Sequence, residues 1–413
     1  MKSWPEVYTP SIDSKYHFPE ISLFNSASRK IEALPRKDRY RMYVCGITPY
    51  DSTHLGHAAT YIAFDLINRY LRAMNAEVAY VQNITDIDDP LLERAQRDGV
   101  DWQELANSQI DLFRSDMTAL HVIPPKYYIG AVEAIPLVTE KIQELQDAEA
   151  IYSINQDLYF RIHKDPEFGS RSHLSEDDCL KIFAERGGDP GRIGKEHPLD
   201  SLVWLAQRPN EPGWPSIHGQ GRPGWHIECC AIALKYLKPD SSEDFLIDIQ
   251  GGGSDLIFPH HEMSAAQARV STGKKFARMY VHTGMIGLNG EKMSKSLGNL
   301  QFVSSLINTG VSPMIIRCAL LMQRYSKDRM WNDELLENAQ IFMDKLALHL
   351  SQTECAPTQE LIQNIIEALS SNLDTESVFF LLNNWIKETE VGAVGGNPGE
   401  LSRTLDALLG LAI

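Results

Sequence analysis

Four short stretches of this 413-residue chain hold side chains that could do chemistry. The first runs Tyr43-Val-Cys-Gly-Ile-Thr-Pro-Tyr-Asp-Ser-Thr-His-Leu-Gly-His57. His54 and His57 stand three apart with Gly56 between them, so both rings can face one anion while the glycine lets the backbone come close. Cys45 lies a few residues upstream, a thiol suited to a metal or to nucleophilic attack. The second and third are Trp225-His-Ile-Glu-Cys-Cys230 and His260-His-Glu262. The fourth, Gly290-Glu-Lys-Met-Ser-Lys-Ser-Leu-Gly298, sets Lys292 and Lys295 three apart among serines and glycines. A cationic loop of this kind can neutralise a triphosphate as pyrophosphate leaves, because fixed positive charge acts most strongly where negative charge develops. Taken singly, each stretch also has an ordinary reading: a helix start, buried apolar cysteines, a solvated basic loop.

Cys45, Cys229 and His260 are separated by 184 and 31 residues, without the paired Cys-x-x-Cys spacing of a zinc finger. Only tertiary structure could assemble them. Converged, two thiolates and one imidazole select Zn²⁺ and leave a fourth position open, the arrangement of catalytic rather than structural zinc. An open site of this type prefers sulfur and deprotonates a bound thiol. Cysteine would be accepted and serine rejected, which a pocket working by shape alone does not achieve. On spacing alone, apolar burial of the cysteines stays the alternative.

The elements that must position these residues are legible in outline. A β-rich run from Tyr40 to Ile47 breaks at a Gly/Pro/Asp turn, and a helical pattern from about His57 towards Met74 follows. That junction offers the free N–H groups of a helix N-terminus to phosphate. A second strand, Ala76 to Thr85, runs into Asp86-Ile-Asp-Asp-Pro90, at the carboxyl end where open parallel sheets bind ligands. Residues 91–120 and 131–150 read as helices, and 151–224, rich in proline, as irregular. Strand signals return from Phe245 to Gln250, ending in Gly251-Gly-Gly-Ser-Asp255, and from Arg278 to Ile286. The alternation predicts a doubly wound, Rossmann-like parallel sheet. Beyond Ser304 the pattern is helical throughout, with apolar faces suited to a small bundle. The expected organisation is an N-terminal arm at 1–38, two halves of an α/β core at 39–120 and 206–303, an insertion at 121–205 between them, and a C-terminal helical domain at 304–413.

Composition narrows the partners. The net charge is −16, and residues 331–413 carry Lys345, Lys387 and Arg403 against 13 acidic residues, a net of −10. Nucleic-acid binding rests on Lys and Arg neutralising phosphate, so this tail is a poor grip for RNA. No apolar run approaches a membrane span and the N-terminus lacks a signal-peptide pattern, so a cytoplasmic protein without a membrane partner is expected. Six thinly spread cysteines fit reduced thiols better than disulfides, with Cys179, Cys230, Cys318 and Cys355 assigned to packing.

His54-Leu-Gly-His57 together with Lys292-Met-Ser-Lys-Ser296, in this order around a split α/β sheet, resembles the two signatures of class I aminoacyl-tRNA synthetases. Cys45-Gly-Ile-Thr-Pro-Tyr-Asp51, Gly221-Arg-Pro-Gly-Trp-His-Ile-Glu-Cys229 and Gly251-Gly-Gly-Ser-Asp-Leu-Ile-Phe-Pro-His-His261 narrow the likeness to the cysteinyl branch. The resemblance implies ATP as substrate, with Mg²⁺, one Zn²⁺ on Cys45, Cys229 and His260, and phosphate-binding roles for His54, His57, Lys292 and Lys295. It also implies a cysteinyl-adenylate flanked by Cys45, Gly46, Ile47, Thr48, Thr60, Asn83, Ile84, Thr85, Trp225, Gly253, Ser254, Asp255 and Ile286. Thr48 and Thr85 would hydrogen-bond the amino acid, Trp225 would cover its side chain, and Asp255 would reach the ribose or an amine.

Two departures point away from tRNA. Cysteinyl-tRNA synthetases carry a glutamate ligand four residues after the first histidine of the pair, where this chain has Ser264. Only 117 residues, acidic ones, follow Ser296, where an anticodon-reading domain would be expected. Glu185-Arg-Gly-Gly-Asp-Pro190 and Lys2-Ser-Trp-Pro5 resemble marks of the synthetase-derived ligases of mycothiol biosynthesis, a family that joins L-cysteine to the amino group of a glucosaminyl-inositol. The expected partners are therefore small molecules acting on a monomer. A true or truncated cysteinyl-tRNA synthetase and an inactive zinc-stabilised binding module are the rivals, and the presence of both histidines and both lysines weighs against the second.

Overall fold

The structure, a computed structural model, describes residues 1–51, 53–238, 243–293 and 298–413. The chain opens with an antiparallel hairpin, β1 (Ser22–Asn25) and β2 (Lys30–Ala33). It then enters β3 (Arg39–Val44), α1 (Leu55–Ala73), β4 (Glu77–Ile84), α2 (Asp89–Asp98), α3 (Trp102–Ala119), β5 (Tyr127–Gly130) and α4 (Ala131–Asp147). A smaller region follows with β6 (Ile151–Ile154), β7 (Asp157–Phe160), α5 (Glu176–Glu185), β8 (Ser201–Ala206) and β9 (Gly221–Pro223). The second half of the core holds α6 (Trp225–Tyr236), β10 (Phe245–Gly253), α7 (Glu262–Thr272) and β11 (Lys275–Thr283), then a short β12 (Ile286–Leu288) and β13 (Glu291–Lys292). The C-terminal part comprises α8 (Val303–Asn308), α9 (Pro313–Leu321), β14 (Arg329–Trp331), α10 (Asp333–Leu350), α11 (Gln359–Ser370), α12 (Thr375–Glu390) and α13 (Pro398–Leu409).

Among the described residues the main sheet has the order β11-β10-β3-β4-β5, every pair parallel. Its central strands are buried along nearly their whole length, because helices cover both faces and leave no polar side. α1 packs under the sheet and buries most of its residues, including Asp65, Asn68 and Arg69. The order steps outward in both directions from β3 and β10, so the crevice between their carboxyl ends is the switch point where such folds bind ligands.

Four expectations change. Residues 1–38 are tied down rather than draped over the surface: Trp4, Tyr16, Phe18, Ile21 and Leu23 are buried, and the Trp4 ring N–H donates to the Val122 carbonyl at 2.8 Å. The boundary expected at 121 cuts through the main sheet, since β5 pairs with β4 behind the helix-stopping Pro124 and Pro125. Residues 151–224, expected to be irregular, form an antiparallel sheet β6-β7-β8-β9 that ends at Pro223, beyond the expected limit of 205. Strands of three to six residues show too few alternations to be read through prolines. The helical tail is likewise interrupted by β14, which pairs in parallel with β12 and fixes the tail to the core.

Two buried arginines make that attachment. Asp65 accepts from Arg69 at 2.6 Å, from Arg317 on α9 at 2.5 Å and from the Ile123 amide at 2.8 Å. Arg317 also donates to the carbonyls of Leu409 and Leu120. A buried pair of this kind is sustained only when every remaining donor is matched, and here backbone carbonyls from two segments, Leu120–His121 and Asp406–Leu409, do so.

Candidate active site

The turn after β3 is built on a close crossing of two strands. A Cβ at Gly46 would stand 1.6 Å from the Asn83 carbonyl oxygen, so this residue has to be glycine. Asn83, 1 % exposed, holds the crossing: its Oδ1 accepts from the Gly46 amide at 2.8 Å and the Tyr43 hydroxyl at 3.1 Å, while Nδ2 donates to Thr85 Oγ1 at 3.2 Å. Strand alternation sends Asn83 and Thr85 to one face and Ile84 to the other. The Ile84 side chain is therefore fully buried in the apolar core and does not line the cavity.

α1 begins at Leu55 because His54 itself is the cap, its Nδ1 accepting from the Gly56 amide at 3.1 Å and the His57 amide at 3.4 Å. The two rings stack at 3.7 Å between centroids. Burial lowers His54 to about 4 and pushes His57 well down, with the neighbouring His54 adding to the latter. Both are neutral at pH 7, as the cap requires of His54. His57 Nδ1 is buried without a hydrogen-bond partner among the described residues, a polar atom left for a ligand.

A cavity of about 320 Å³ opens here. Cys45, Gly46, Ile47 and Thr48 line it from the turn, Thr60 from α1, Asn83 and Thr85 from β4, and Trp225 from α6. Gly253 and Asp255 close one side and Ile286 and Met293 another, with His54 and His57 between. Thr60, which could have faced solvent, bonds Thr283 Oγ1 at 2.8 Å. Ser254 does not line the cavity. Lys292 is exposed on β13, outside the lining, and Lys295 lies outside the described residues. The acidic run after β4 serves as caps: Asp88 caps α2, and Asp86 accepts from the Val132 amide at the start of α4.

Cys45, Cys229 and His260 meet at one end, their ligand atoms all within 4.8 Å of one another and all three residues buried. The sulfurs are 4.0 Å apart and His260 Nε2 is 3.2 Å from Cys229 Sγ. Two thiolates on a tetrahedral ion at bond lengths of about 2.3 Å would be roughly 3.8 Å apart, so the donor set fits one metal ion. Burial pushes the Cys45 thiol well up, and its bond to Cys229 adds to this. Burial opposes ionisation of Cys229 too, yet the hydrogen bond from Cys45 and the facing His260 bring it well down. One thiolate is thus stabilised before any cation arrives.

The surroundings aim these donors. His226 Nδ1 lies 3.0 Å from His260 Nδ1, leaving Nε2 towards the sulfur, and the Trp225 ring stacks on His260 at 4.6 Å. Ser264 turns its hydroxyl to the carbonyls of His226 and His260 at 3.0 and 2.9 Å, away from the donor group. His261 Nε2 is 3.2 Å from Cys45 Sγ, and its Nδ1 meets His282 Nε2 at 2.8 Å, which in turn reaches Ser26. His226 was named only within its chemistry-bearing stretch, His282 and Ser26 were not singled out in sequence, and His282 inside an apolar strand gives no local signal. Arg186, from the Glu185–Pro190 stretch, reaches the rim and donates to the Asp255 carbonyl.

A parallel α/β sheet with a histidine-capped helix at its switch point, an inserted small sheet and trailing helices is the fold of the class I tRNA synthetases. Methionyl-tRNA synthetase from Mycobacterium tuberculosis in complex with methionyl-adenylate superposes with a TM-score of 0.62 at 17% identity, covering 91% of this chain and 89% of that one. The Agrobacterium radiobacter K84 agnB2 leucyl-tRNA synthetase gives 0.59 at 11% identity, covering 91% and 83%. Residues 32–341 match the tRNA synthetases class I (C) catalytic domain. Full-length similarity is closer: proteins named L-cysteine:1D-myo-inositol 2-amino-2-deoxy-alpha-D-glucopyranoside ligase from Thermomonospora curvata and Rhodococcus erythropolis are each 48% identical over 100% of both chains. The chain belongs to this ligase family and carries its class I synthetase catalytic domain.

Proposed function

We propose that the protein activates L-cysteine with ATP and joins it to the amine of glucosaminyl-inositol, giving the amide, AMP and pyrophosphate, a step of mycothiol biosynthesis. The observation that carries this reading is a two-thiol, one-imidazole group set into the wall of a cavity that a histidine-capped helix also faces. Zn²⁺ on Cys45, Cys229 and His260 would bind the substrate's thiolate and discriminate against serine.

In this reading the chain's own groups do the rest. His54 and His57 orient the ATP phosphates, the first amides of α1 being taken up by His54 and by the Gln301 carbonyl rather than free as the helix start suggested, and Lys292 and Lys295 supply positive charge to the departing pyrophosphate. Thr48 and Thr85 hold the amino acid so that its carboxylate faces the α-phosphate, and Trp225 closes over its side chain. Attack gives the mixed anhydride without a covalent enzyme intermediate. The unprotonated sugar amine then attacks the activated carbonyl, a C–N bond forms, AMP departs and one N–H proton is released. Ser264, committed to backbone carbonyls, adds no fourth protein ligand. tRNA is not the acceptor in this reading, since residues 331–413 carry a net of −10.

Mass spectrometry of products from L-cysteine, ATP and glucosaminyl-inositol, run beside a tRNA control, tests this. The expected product is the cysteinyl amide of the amino sugar with one AMP per turnover. Transfer to tRNA with none to the amino sugar would overturn it. Absence of cysteine-dependent ATP–pyrophosphate exchange would favour an inactive binding module.

A further inference from the structure

Beside the reaction cavity lies a second cleft of about 540 Å³, walled by the loop carrying Tyr50 and Asp51, by α2 and by the segment from Gly298 to Phe302. Tyr50, Asp51 and Leu300 line both spaces, so the two adjoin. Phe302 forms an antiparallel bridge with His54, and the Leu55 amide donates to the Gln301 carbonyl at 2.9 Å. This wall is thereby joined to the first turn of α1, where the ligase reading puts the ATP phosphates that the amino acid's carboxylate faces.

We propose that this cleft is the subsite for the polyhydroxylated end of the amine acceptor, an assignment that rests on the ligase reading above. Its volume lies in the range of small-molecule sites, roughly 300–1,000 Å³. Its chemistry is that of a sugar or cyclitol site rather than a phosphate site. Tyr50, Pro90, Leu300 and Phe302 offer flat apolar surface to the C–H faces of a ring. Glu93, Arg94 and Arg97 offer planar polar groups that match pairs of hydroxyls.

Charge separates the two candidate ligand classes. Arg94 holds Asp51 at 2.5 Å and also pairs with Asp98, while Arg97 pairs with Asp98 at 2.8 Å. Both guanidinium groups are thus balanced by carboxylates, and Glu93 adds a third acid to the same wall. A polyphosphate binds where cationic charge is in excess; a neutral polyol binds where donors and acceptors alternate. Asp51 stands where the cleft meets the cavity, its side chain 19% exposed and held by Arg94, so the ion pair borders the way in.

The test uses the full chain with Glu93→Gln and Arg97→Gln together, both surface residues whose replacement leaves the core intact. The expected result is a rise of about tenfold in the KM for glucosaminyl-inositol, with KM values for ATP, cysteine and pyrophosphate in the exchange reaction unchanged. Free glucosamine, which lacks the inositol, is the second probe. The variant is expected to narrow the preference for glucosaminyl-inositol over glucosamine, which general damage to the fold would not do. An acceptor KM within about twofold of the unaltered protein, with the preference intact, would overturn the assignment. So would a raised KM for pyrophosphate with normal acceptor kinetics, which would make the cleft part of the phosphate route. If the unaltered protein catalyses exchange but transfers nothing to the amino sugar, the ligase reading itself falls and this subsite with it.

Discussion

Asn83→Ala removes one side chain that makes three hydrogen bonds where β4 crosses the turn after β3. The Gly46 amide and the buried Tyr43 hydroxyl lose their acceptor, and Thr85 loses a donor, at a site only 1 % exposed. At about 1 kcal/mol for each net bond, the loss is about 3 kcal/mol. Against a typical domain stability of roughly 5–15 kcal/mol the protein still folds, with its turn released. Gly46 is packed against the Asn83 carbonyl, so any relaxation displaces Cys45 and Thr48 together. A displacement of about 1 Å at reacting groups costs on the order of a hundredfold in rate. Urea unfolding and cysteine-dependent ATP–pyrophosphate exchange, measured on the same preparation, are the assays. Asn83→Asp keeps the Oδ1 acceptor but buries an unpaired carboxylate at the same site, so it should recover neither the stability nor the exchange. A stability change below about 0.5 kcal/mol for Asn83→Ala, with exchange unaltered, would refute the role given to this crossing.

Two further outcomes concern the scaffold. His54 is lowered to about 4 by burial, so the folded form stays neutral while the unfolded chain takes up a proton near pH 6.5. Its contribution is complete above that value and is lost as the pH falls towards 4. Between pH 7.5 and 5 this residue alone removes about 2 kcal/mol. His54→Gln keeps a capping acceptor without a titrating group, so its urea-unfolding free energy should fall by correspondingly less, and parallel pH profiles would contradict the assignment. Asp65→Asn leaves Arg69 and Arg317 buried without their anion and should lower stability by about 3–5 kcal/mol. Early proteolytic release of the C-terminal helices is the expected accompaniment, and an unchanged thermal midpoint would contradict it.

The parts of the fold visible in sequence are those where one periodicity gives way to another. From Tyr40 to Met74 a strand pattern meets a helix pattern at a glycine-bearing turn, and the structure differs there in ending β3 at Val44 rather than Ile47 and in starting α1 at Leu55, because His54 is the cap. β5, β9 and β14 were hidden, each three or four residues long and followed or preceded by residues that look like a turn. Asp65 and Arg69, four apart, have the spacing of an exposed helical pair, and their burial follows from Arg317, which lies 248 residues after Arg69. The same holds for the candidate metal group. The identity of Cys45, Cys229 and His260 was suggested by resemblance, since gaps of 184 and 31 residues carry no geometric information. The orienting histidines His226, His261 and His282 depend on contacts between α6, the turn before α7 and β11 that no local pattern encodes.

The most direct measurement is the absorption spectrum of the protein reconstituted with Co²⁺ and titrated with L-cysteine and, separately, L-serine. The expected result is one cobalt per chain with sulfur-to-metal charge transfer from Cys45 and Cys229, lost in Cys229→Ser, strengthened by L-cysteine to a one-to-one end point and unmoved by L-serine. A protein that takes up no cobalt, or a spectrum indifferent to L-cysteine, would contradict the claim that a sulfur donor is selected at this site.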